Sequence, residues 1–336
     1  MSTNEPQNNS TDHRAAAELP VIDLCGSQSD IKTREFQGQQ LGSALQQVGF
    51  AAVTGHGIDA GLIQRMREQT VRLFALPESE KMALRVSPEN YRGYIPLGFF
   101  TPNRGAAEAD QYEGYKLHQE VAADDPICDA SPLYGPNKWP QSMPQLNIVV
   151  ADYWQACEEL GTRLLTLICA YLALEPSVIL QAMTQPLNNM TLLHYPPRSS
   201  AGEIGIHPHK DTDVLTILAP DAAGGLFVRS RDCNHWIEAI TPPGALLINV
   251  GDMLELWSGG RLVSTPHKVV NKRGAERYSF PFFMVPRYDV VIRPLVATPQ
   301  FAGRQMHVGD VSTQIWYSNW PDAAAIDASL DPYITN

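Results

Sequence analysis

The sequence has no long apolar run, few cysteines and no leader-like start. None of its stretches reaches the 18 or more apolar residues that a membrane-spanning helix needs. The five cysteines of the 336-residue chain show no C-x-x-C spacing, which favours reduced thiols in a cytoplasmic protein over a disulfide framework. Residues 1–18 are polar and lack the apolar segment of a signal peptide, so they are expected to form a disordered lead.

Charged residues are also scarce, and the net charge is negative, which is the wrong sign for a nucleic-acid-binding surface. Charged residues make up 18% of the chain, and the formal net charge is −11. This balance argues against a nucleic-acid-binding surface. No internal repeat stands out. With 44% hydrophobic residues the chain can bury a sizeable core, so one large domain with elaborations is favoured over two equal domains.

The front half of the chain is predicted to be mainly helical. Asp59 is a candidate N-cap, and Ile148 is placed on the apolar side of a long helix. Residues 83–143 show no clear periodicity. The predicted elements are a strand at 19–24, a helix from Ser29 to about Val48, a strand at 49–53, a helix after Asp59 and a long helix at about 144–173.

After Pro176 short apolar runs alternate with turn residues. The runs are MTLLHY, VLTILA, GLFVR, WIEAI, ALLINV, LELW, STPHKVVN, RYSFPFFMV and DVVIRP. This pattern favours a sandwich or jelly roll over a parallel sheet with crossover helices. The expected regions are the lead at 1–18, an N-terminal region at 19–143, a supporting helix at 144–176, a β core at 177–296 and a C-terminal extension at 297–336.

The core contains a pattern of metal-ligand residues. His209-Lys210-Asp211 is followed 56 residues later by His267. In a strand, residues i and i+2 point to the same face, so His209 and Asp211 could meet one metal while Lys210 points away. Two imidazoles and one carboxylate form a facial triad, which suits Fe(II) and leaves positions open for substrates and O2. The sequence therefore predicts a non-haem iron site.

Other ligand sets remain open at this stage. His207 and His209 are also two residues apart, and that pair would leave Asp211 as an outer hydrogen-bond acceptor. Asp213 is interpreted as a turn residue or an outer partner, and Asn249 and Asp252 as turn residues. The alternative without any metal is a set of hydrogen-bonded histidines, which is the common state of a single histidine but a poor account of the whole pattern.

A second pair of residues predicts a carboxylate-binding site. Arg277 and Ser279 lie ten and twelve residues after His267, within an apolar strand. Both side chains would face one way, and arginine can grip a carboxylate bidentately while the serine hydroxyl adds a bond. Such a pair could hold the far carboxylate of a dicarboxylic cosubstrate or form a structural salt bridge. Tyr195, at a strand end, could place its hydroxyl near the metal or a bound carboxylate, or serve as a core tyrosine.

At these residues the chain resembles the isopenicillin N synthase-like family of Fe(II)/2-oxoglutarate-dependent dioxygenases. The similarity extends over about residues 19–295. LPVIDL, VGFAAVTGHGI, HKD, GGLFV, STPHKVVN and ERYSFPFF occur in the family's order. This ordered set is more specific than any one motif. Leu193 differs from many plant members, which carry Asn there, so a polar partner for the keto-acid end of the cosubstrate is missing.

The resemblance implies an α+β fold: a double-stranded β-helix (jelly-roll) core with flanking N-terminal helices. It implies Fe(II) bound by three residues, 2-oxoglutarate bound by three more, and O2 as co-oxidant. The residues concerned are His209, Asp211 and His267 for iron, and Arg277, Ser279 and Tyr195 for 2-oxoglutarate. Independently of the resemblance, the segment 112–117 ahead of the core is a candidate lid over a small organic substrate, with the aromatic residues Tyr112, Tyr115 and Phe283 as candidate substrate contacts.

The expected protein is therefore a cytoplasmic monomeric oxidoreductase that hydroxylates, desaturates or cyclises a small molecule and releases succinate and CO2. A cosubstrate-free iron oxidase, in which Arg277 and Ser279 hold the substrate's own carboxylate, and an ethylene-forming enzyme are alternatives within the family. A zinc hydrolase and a non-catalytic binding protein are alternatives from other classes. The requirement for 2-oxoglutarate, and the metal that supports activity, distinguish them.

Overall fold

The computed structural model describes residues 19–26, 30–100, 109–197, 203–231, 235–272, 274–318 and 320. The lead predicted at residues 1–18 lies outside these ranges. Within them, no helix combines the length and the apolar character needed to cross a bilayer.

The helices begin and end where local signals place them. Asp30 caps the first helix, because its Oδ2 accepts a hydrogen bond from the Thr33 backbone N–H at 2.9 Å. Asp59 caps the second in the same way, with Oδ1 2.9 Å from the Leu62 N–H. The helices are α1 Ile31–Gln47, α2 Ala60–Phe74, α3 Glu78–Ala83, α4 Ile127–Ala130, α5 Pro144–Leu172, α6 Ser177–Leu180, α7 Asp252–Trp257 and α8 Val308–Ser318.

Most of the strands lie between α6 and α8 along the chain, and the others precede α6. Pro281 separates two of them inside the run that had been predicted as one strand. They are β1 Val21–Asp23, β2 Phe50–Thr54, β3 Gly93–Ile95, β4 Glu113–His118, β5 Asn189–Tyr195, β6 Glu203–His209, β7 Leu215–Leu218, β8 Leu226–Arg229, β9 Trp236–Glu238, β10 Leu246–Val250, β11 His267–Asn271, β12 Arg277–Ser279, β13 Phe282–Met284, β14 Val291–Ile292 and β15 Met306–His307.

Two sheets face each other to form the core. The larger sheet has the order β1-β2-β10-β7-β13-β5-β4-β3, and β12 pairs with the end of β5. The smaller sheet has the order β6-β11-β8-β9. All of these pairs are antiparallel except β1 with β2. This is the predicted jelly-roll fold.

Apolar packing occurs on both faces of the larger sheet. Its outer face is covered by α1, α2 and α5, which share the main hydrophobic cluster with it. A smaller cluster lies between the two sheets, and we call it the interior cluster. It consists of Leu19, Phe50, Leu193, Tyr195, Leu218, Leu226, Val228, Leu247 and Val269. The interior face of the larger sheet is therefore the face that meets the smaller sheet.

Three local predictions are wrong. The LELW run is not a strand but part of helix α7, since the buried residues Met253, Leu256 and Trp257 follow the i, i+3, i+4 spacing of a helix. Ile148 is exposed, while its neighbours Val149 and Val150 face the core. Residues 112–117 do not form a lid, because most of them belong to β4, which is hydrogen-bonded to β3 and β5 inside the larger sheet.

Candidate active site

Three potential metal ligands meet at the edge of the smaller sheet. His209 ends β6 and His267 begins β11, and the two residues are direct partners across these strands. Asp211 Oδ1 lies 3.8 Å from His209 Nε2 and 3.6 Å from His267 Nε2. The three ligand atoms lie within 4.8 Å of one another, so a single ion could bind all of them. Two nitrogens and one oxygen form a donor set that suits Fe(II).

Backbone carbonyls determine the tautomers of both histidines. His209 Nδ1 lies 2.8 Å from the His207 carbonyl oxygen, and His267 Nδ1 lies 3.2 Å from the Thr265 carbonyl oxygen. A carbonyl only accepts, so each Nδ1 carries the proton and each Nε2 keeps its lone pair for a metal. Burial lowers the pKa of His267 and so favours its neutral imidazole form.

Two side chains orient Asp211. Its Oδ2 accepts hydrogen bonds from Thr216 Oγ1 at 2.6 Å and from Asn249 Nδ2 at 2.7 Å, and Oδ1 therefore faces the histidines. Burial raises the pKa of Asp211, but His267, His209 and these two bonds outweigh it, so the net pKa lies below the ordinary value. Asn249 thus belongs to strand β10 and supports a ligand, where a turn residue had been predicted. A polar residue inside the buried run LLINV is the signal that could have revealed it.

Asp213 extends the same hydrogen-bond chain. Its Oδ2 lies 3.0 Å from Thr216 Oγ1, and burial together with the Asp211 charge raises its pKa well above the ordinary value. Because Thr216 has one hydroxyl proton and gives it to Asp211, a neutral Asp213 can donate in turn to Thr216.

Lys210 is paired with a different carboxylate from that of the candidate triad. Its Nζ contacts Asp252 Oδ1 at 2.6 Å, and Asp252 opens helix α7 rather than a turn.

The loss of the Thr216 hydroxyl is expected to weaken iron binding. Thr216→Val keeps the shape of the side chain but removes a donor to Asp211, and loss of such an outer partner costs roughly 10–100-fold in metal affinity. Anaerobic Fe(II) titration measures the effect. Thr70→Val is the matched control, because the buried Thr70 hydroxyl bonds only to the Met66 carbonyl on α2. Wild-type affinity in the Thr216 variant would show that Asp211 is oriented without it.

Arg277 is a buried cation with unused donors. Strand β12 places Arg277 beside Tyr195 and Ser279 beside Leu193 on the adjacent β5. Arg277 Nε donates to the Gly224 carbonyl at 2.9 Å, and the guanidinium lies 4.7 Å from the centre of the Tyr195 ring. Its Nη1 is buried and has no hydrogen-bond partner among the described residues. A buried unpaired donor is costly, so this group is suited to an anionic ligand.

The buried Arg277 and the candidate metal ligands are connected through the interior cluster. Tyr195 and Phe50 both belong to this cluster, and the Phe50 ring lies edge-on to His267 at 5.4 Å. Leu193 contributes an apolar side chain at the position beside Ser279. Apolar walls of this kind exclude water from the space between the sheets and strengthen electrostatic interactions there.

A cavity of about 260 Å³ opens beside the candidate ligands. His209 and Asp211 form one of its walls, and Phe283 of β13 forms another. Helix α8 contributes Trp316, although the C-terminal extension had not been expected to reach the site. The amphipathic spacing of Val308, Val311 and Ile315 could have indicated a packed helix there.

Of the three side chains expected at the substrate, Phe283 lines this cavity, whereas Tyr112 and Tyr115 do not. Tyr115 is on the outer face of β4, and its hydroxyl donates to the Lys138 carbonyl at 2.8 Å. The Tyr112 ring packs 6.0 Å from the Tyr195 ring. Because side chains alternate along a strand, it is Lys116, the neighbour of Tyr115, that reaches the cavity.

Comparisons with known proteins agree with this geometry. Residues 19–142 match the family model described as the N-terminal region of non-haem dioxygenases in morphine synthesis. Residues 187–286 match the model of the 2OG-Fe(II) oxygenase superfamily. The fold is similar to the crystal structure of a 2OG-Fe(II) oxygenase family protein from Caulobacter crescentus, with a TM-score of 0.78 and 28% identity over 88% of this chain and 97% of the other.

Curated relatives point in the same direction. The chain is 31% identical to homoarginine-6-hydroxylase 2-ODD-C23 of Glycine max over 295 residues, which cover 82% of this chain and 88% of the relative. It is 33% identical to the 2-oxoglutarate-dependent dioxygenase thnC of Trichoderma harzianum, over 79% of this chain and 83% of the relative. The predicted use of iron and 2-oxoglutarate is thereby confirmed, and the chain belongs to the 2OG-Fe(II) oxygenase superfamily as a 2-oxoglutarate-dependent dioxygenase.

Proposed function

We propose that this dioxygenase oxidises a small organic molecule at an Fe(II) ion held by His209, Asp211 and His267. Arg277 and Ser279 hold the far carboxylate of 2-oxoglutarate, with Tyr195 beside them. The observation that carries the proposal is the combination of three convergent ligand atoms in the triad with a buried guanidinium that has an unused donor. The reaction is hydroxylation, desaturation or cyclisation, with release of succinate and CO2.

Iron, when bound with 2-oxoglutarate and O2, supplies the oxidation of an unactivated C–H bond. The protein positions the reactants. Asp211 balances part of the metal charge, and Thr216 and Asn249 keep its Oδ1 turned toward the metal position. The substrate lies in the cavity between this position and Phe283. The interior cluster keeps water from the cosubstrate.

The proposal is tested by anaerobic titration of the apo protein with Fe(II) and then 2-oxoglutarate. A visible charge-transfer band that requires both components is expected from the chelated cosubstrate. Arg277→Met should weaken 2-oxoglutarate binding by roughly 30-fold or more, since truncating one partner of a buried charge pair costs about 2–5 kcal/mol.

Arg163→Met is the matched control for this experiment. The Arg163 guanidinium donates to the carbonyls of Leu24 at 2.6 Å and Gly55 at 3.1 Å, between α5 and the N-terminal strands. Its loss should leave the band unchanged. If iron binds and no band forms, Arg277 and Ser279 hold a substrate carboxylate and the cosubstrate-free oxidase is favoured. Activity with Zn(II) but not Fe(II) would favour a hydrolase.

We also propose that the protein acts as a cytoplasmic monomer without a nucleic-acid partner. Among the described residues Cys25, Cys128, Cys157 and Cys169 are free thiols, which agrees with a reducing compartment. The net charge of −11 disfavours binding to nucleic acid. Sedimentation at several concentrations tests the oligomeric state.

A further inference from the structure

Lys116 has an unusual position for a lysine. It lies on β4 opposite Thr191 of β5 and lines the cavity beside the candidate iron ligands. Thr191, Leu193 and Tyr195 alternate onto one face of β5, so Lys116 shares the interior face of the sheet with the cosubstrate-binding residues. Lys116 lies toward one end of β5 and Arg277 at the other.

Among the described residues, the hydrogen bonds of Lys116 leave one of its N–H donors unused and its positive charge without a carboxylate partner. Nζ donates to Asn189 Oδ1 at 2.6 Å and to Thr191 Oγ1 at 3.1 Å. An ammonium has three donors, so one remains. Among the described residues no carboxylate comes within 4.0 Å of Nζ. Burial lowers the pKa of Lys116 to about 7, against the opposing influence of Asp211 and Asp213.

A lysine that only stabilises the fold does not need to be enclosed without a carboxylate partner. Lys81 of α3 is also enclosed, but its Nζ lies 2.8 Å from Glu113 Oε2 and is thereby paired. Lys116 has only neutral oxygens for partners. The nearby charge of Asp211 is turned toward the metal position. In its protonated form, Lys116 is therefore a cation that faces a cavity without a counterion among the described residues.

Aromatic and aliphatic side chains form much of the remaining wall of the cavity. The Phe283 ring centre lies 5.3 Å from Lys116 Nζ, and the Tyr91 ring centre lies 5.9 Å from it. Trp316 of α8 stacks on His118 at 5.6 Å and closes the same side. The volume of about 260 Å³ lies below the usual range for drug-sized ligands, roughly 300–1,000 Å³. The cavity therefore suits a small molecule with an apolar body and one anionic group.

We infer that the substrate is a small carboxylic acid whose carboxylate pairs with Lys116 while its apolar body lies against Phe283. The inference rests on the proposed function, since it places the acid beside the iron. Two enclosed cations on one interior face then have separate tasks. Arg277 binds the carboxylate of the cosubstrate and Lys116 binds that of the substrate.

The test uses the anaerobic Fe(II)–2-oxoglutarate complex and pairs of probes with the same skeleton. Acetate, hexanoate, benzoate and phenylacetate are each compared with their methyl esters, at millimolar concentrations. Binding beside the metal perturbs the charge-transfer band. At least one acid should bind more tightly than its ester, and Lys116→Met should weaken that acid by roughly 30-fold or more. Ester binding should change little.

Controls separate the possible outcomes. Lys138→Met removes a lysine that bonds to the Arg85 carbonyl outside the cavity, and acid binding should persist in it. Lys116→Met should still form the band, because the Arg277 end is intact. If no acid exceeds its ester in the wild type, or if Lys116→Met binds acids equally well, the inference is overturned while the band still supports the proposed function. Absence of the band in the wild type overturns the function itself. The wild-type comparison decides alone if the variant does not fold.

Discussion

Asp211→Ala is expected to abolish iron binding and turnover. The carboxylate is the one charged group of the candidate triad, and its removal also leaves Thr216 and Asn249 without their acceptor. Loss of an outer partner costs roughly 10–100-fold in metal affinity, so loss of the ligand itself should exceed that. Iron titration and succinate formation from 2-oxoglutarate measure the two effects.

Asp252→Ala is the matched control for that variant. Asp252 is close in space, but its Oδ1 contacts Lys210 Nζ at 2.6 Å and takes no part in the triad. The Asp252→Ala variant should bind iron like the wild type.

His207→Ala tests the other ligand set, in which His207 and His209 form the pair. His207 Nδ1 lies 2.6 Å from Asp110 Oδ1, outside the triad. Iron loss in His207→Ala together with retention in Asp211→Ala would contradict the proposed ligands.

Glu113→Ala is expected to lower the free energy of unfolding by about 3–5 kcal/mol, the usual cost of stranding a buried charge. Glu113 Oε2 accepts from Lys81 Nζ at 2.8 Å and from Tyr94 Oη at 2.7 Å, and Oε1 lies 2.7 Å from His194 Nδ1. The variant leaves Lys81, itself buried, without its main partner. Denaturant unfolding measures the change.

Glu78→Ala is the control, since Glu78 also contacts Lys81, at 3.2 Å, but is exposed. An exposed ion pair contributes about 0–1 kcal/mol. An equal loss in both variants would contradict the importance of burial.

The same carboxylate predicts a pH dependence of stability. Burial raises the pKa of Glu113, but the bonds from His194, Lys81 and Tyr94 lower it by more, to below the ordinary value of 4.5. The unfolded chain therefore binds the proton more readily. The stability that Glu113 contributes is present above pH 4.5 and is lost as the pH falls through the folded pKa. The difference between wild type and Glu113→Ala should shrink in acid.

The candidate metal ligands were predictable because the donor atoms of a side chain are a property of residue type. His209, Asp211 and His267 meet as expected, but the local reason differs from the prediction. Strand β6 ends at His209, so alternation along a strand does not orient Asp211. Hydrogen bonds from Thr216 and Asn249 do so instead, and these residues come from two other strands.

The substrate end was less predictable for a related reason. Tyr115 was expected at the substrate, whereas Lys116 lines the cavity. Alternation puts these neighbours on opposite faces, but it does not say which face is interior. The pairing of Lys116 with Thr191, 75 positions along the chain, settles that question. The contribution of α8 depends in the same way on a contact between distant segments, the stacking of Trp316 on His118 of β4.

The sequence by itself determined the iron and 2-oxoglutarate chemistry, the jelly-roll class and the N-cap of α2. These follow from donor atoms, motif order, turn spacing and short-range hydrogen bonds, all of which are local along the chain. Only the tertiary structure decided how Asp211 is oriented, that Lys116 rather than Tyr115 meets the cavity, and that Trp316 closes it. Those features depend on the register between distant strands and on packing between distant segments, which no local pattern specifies.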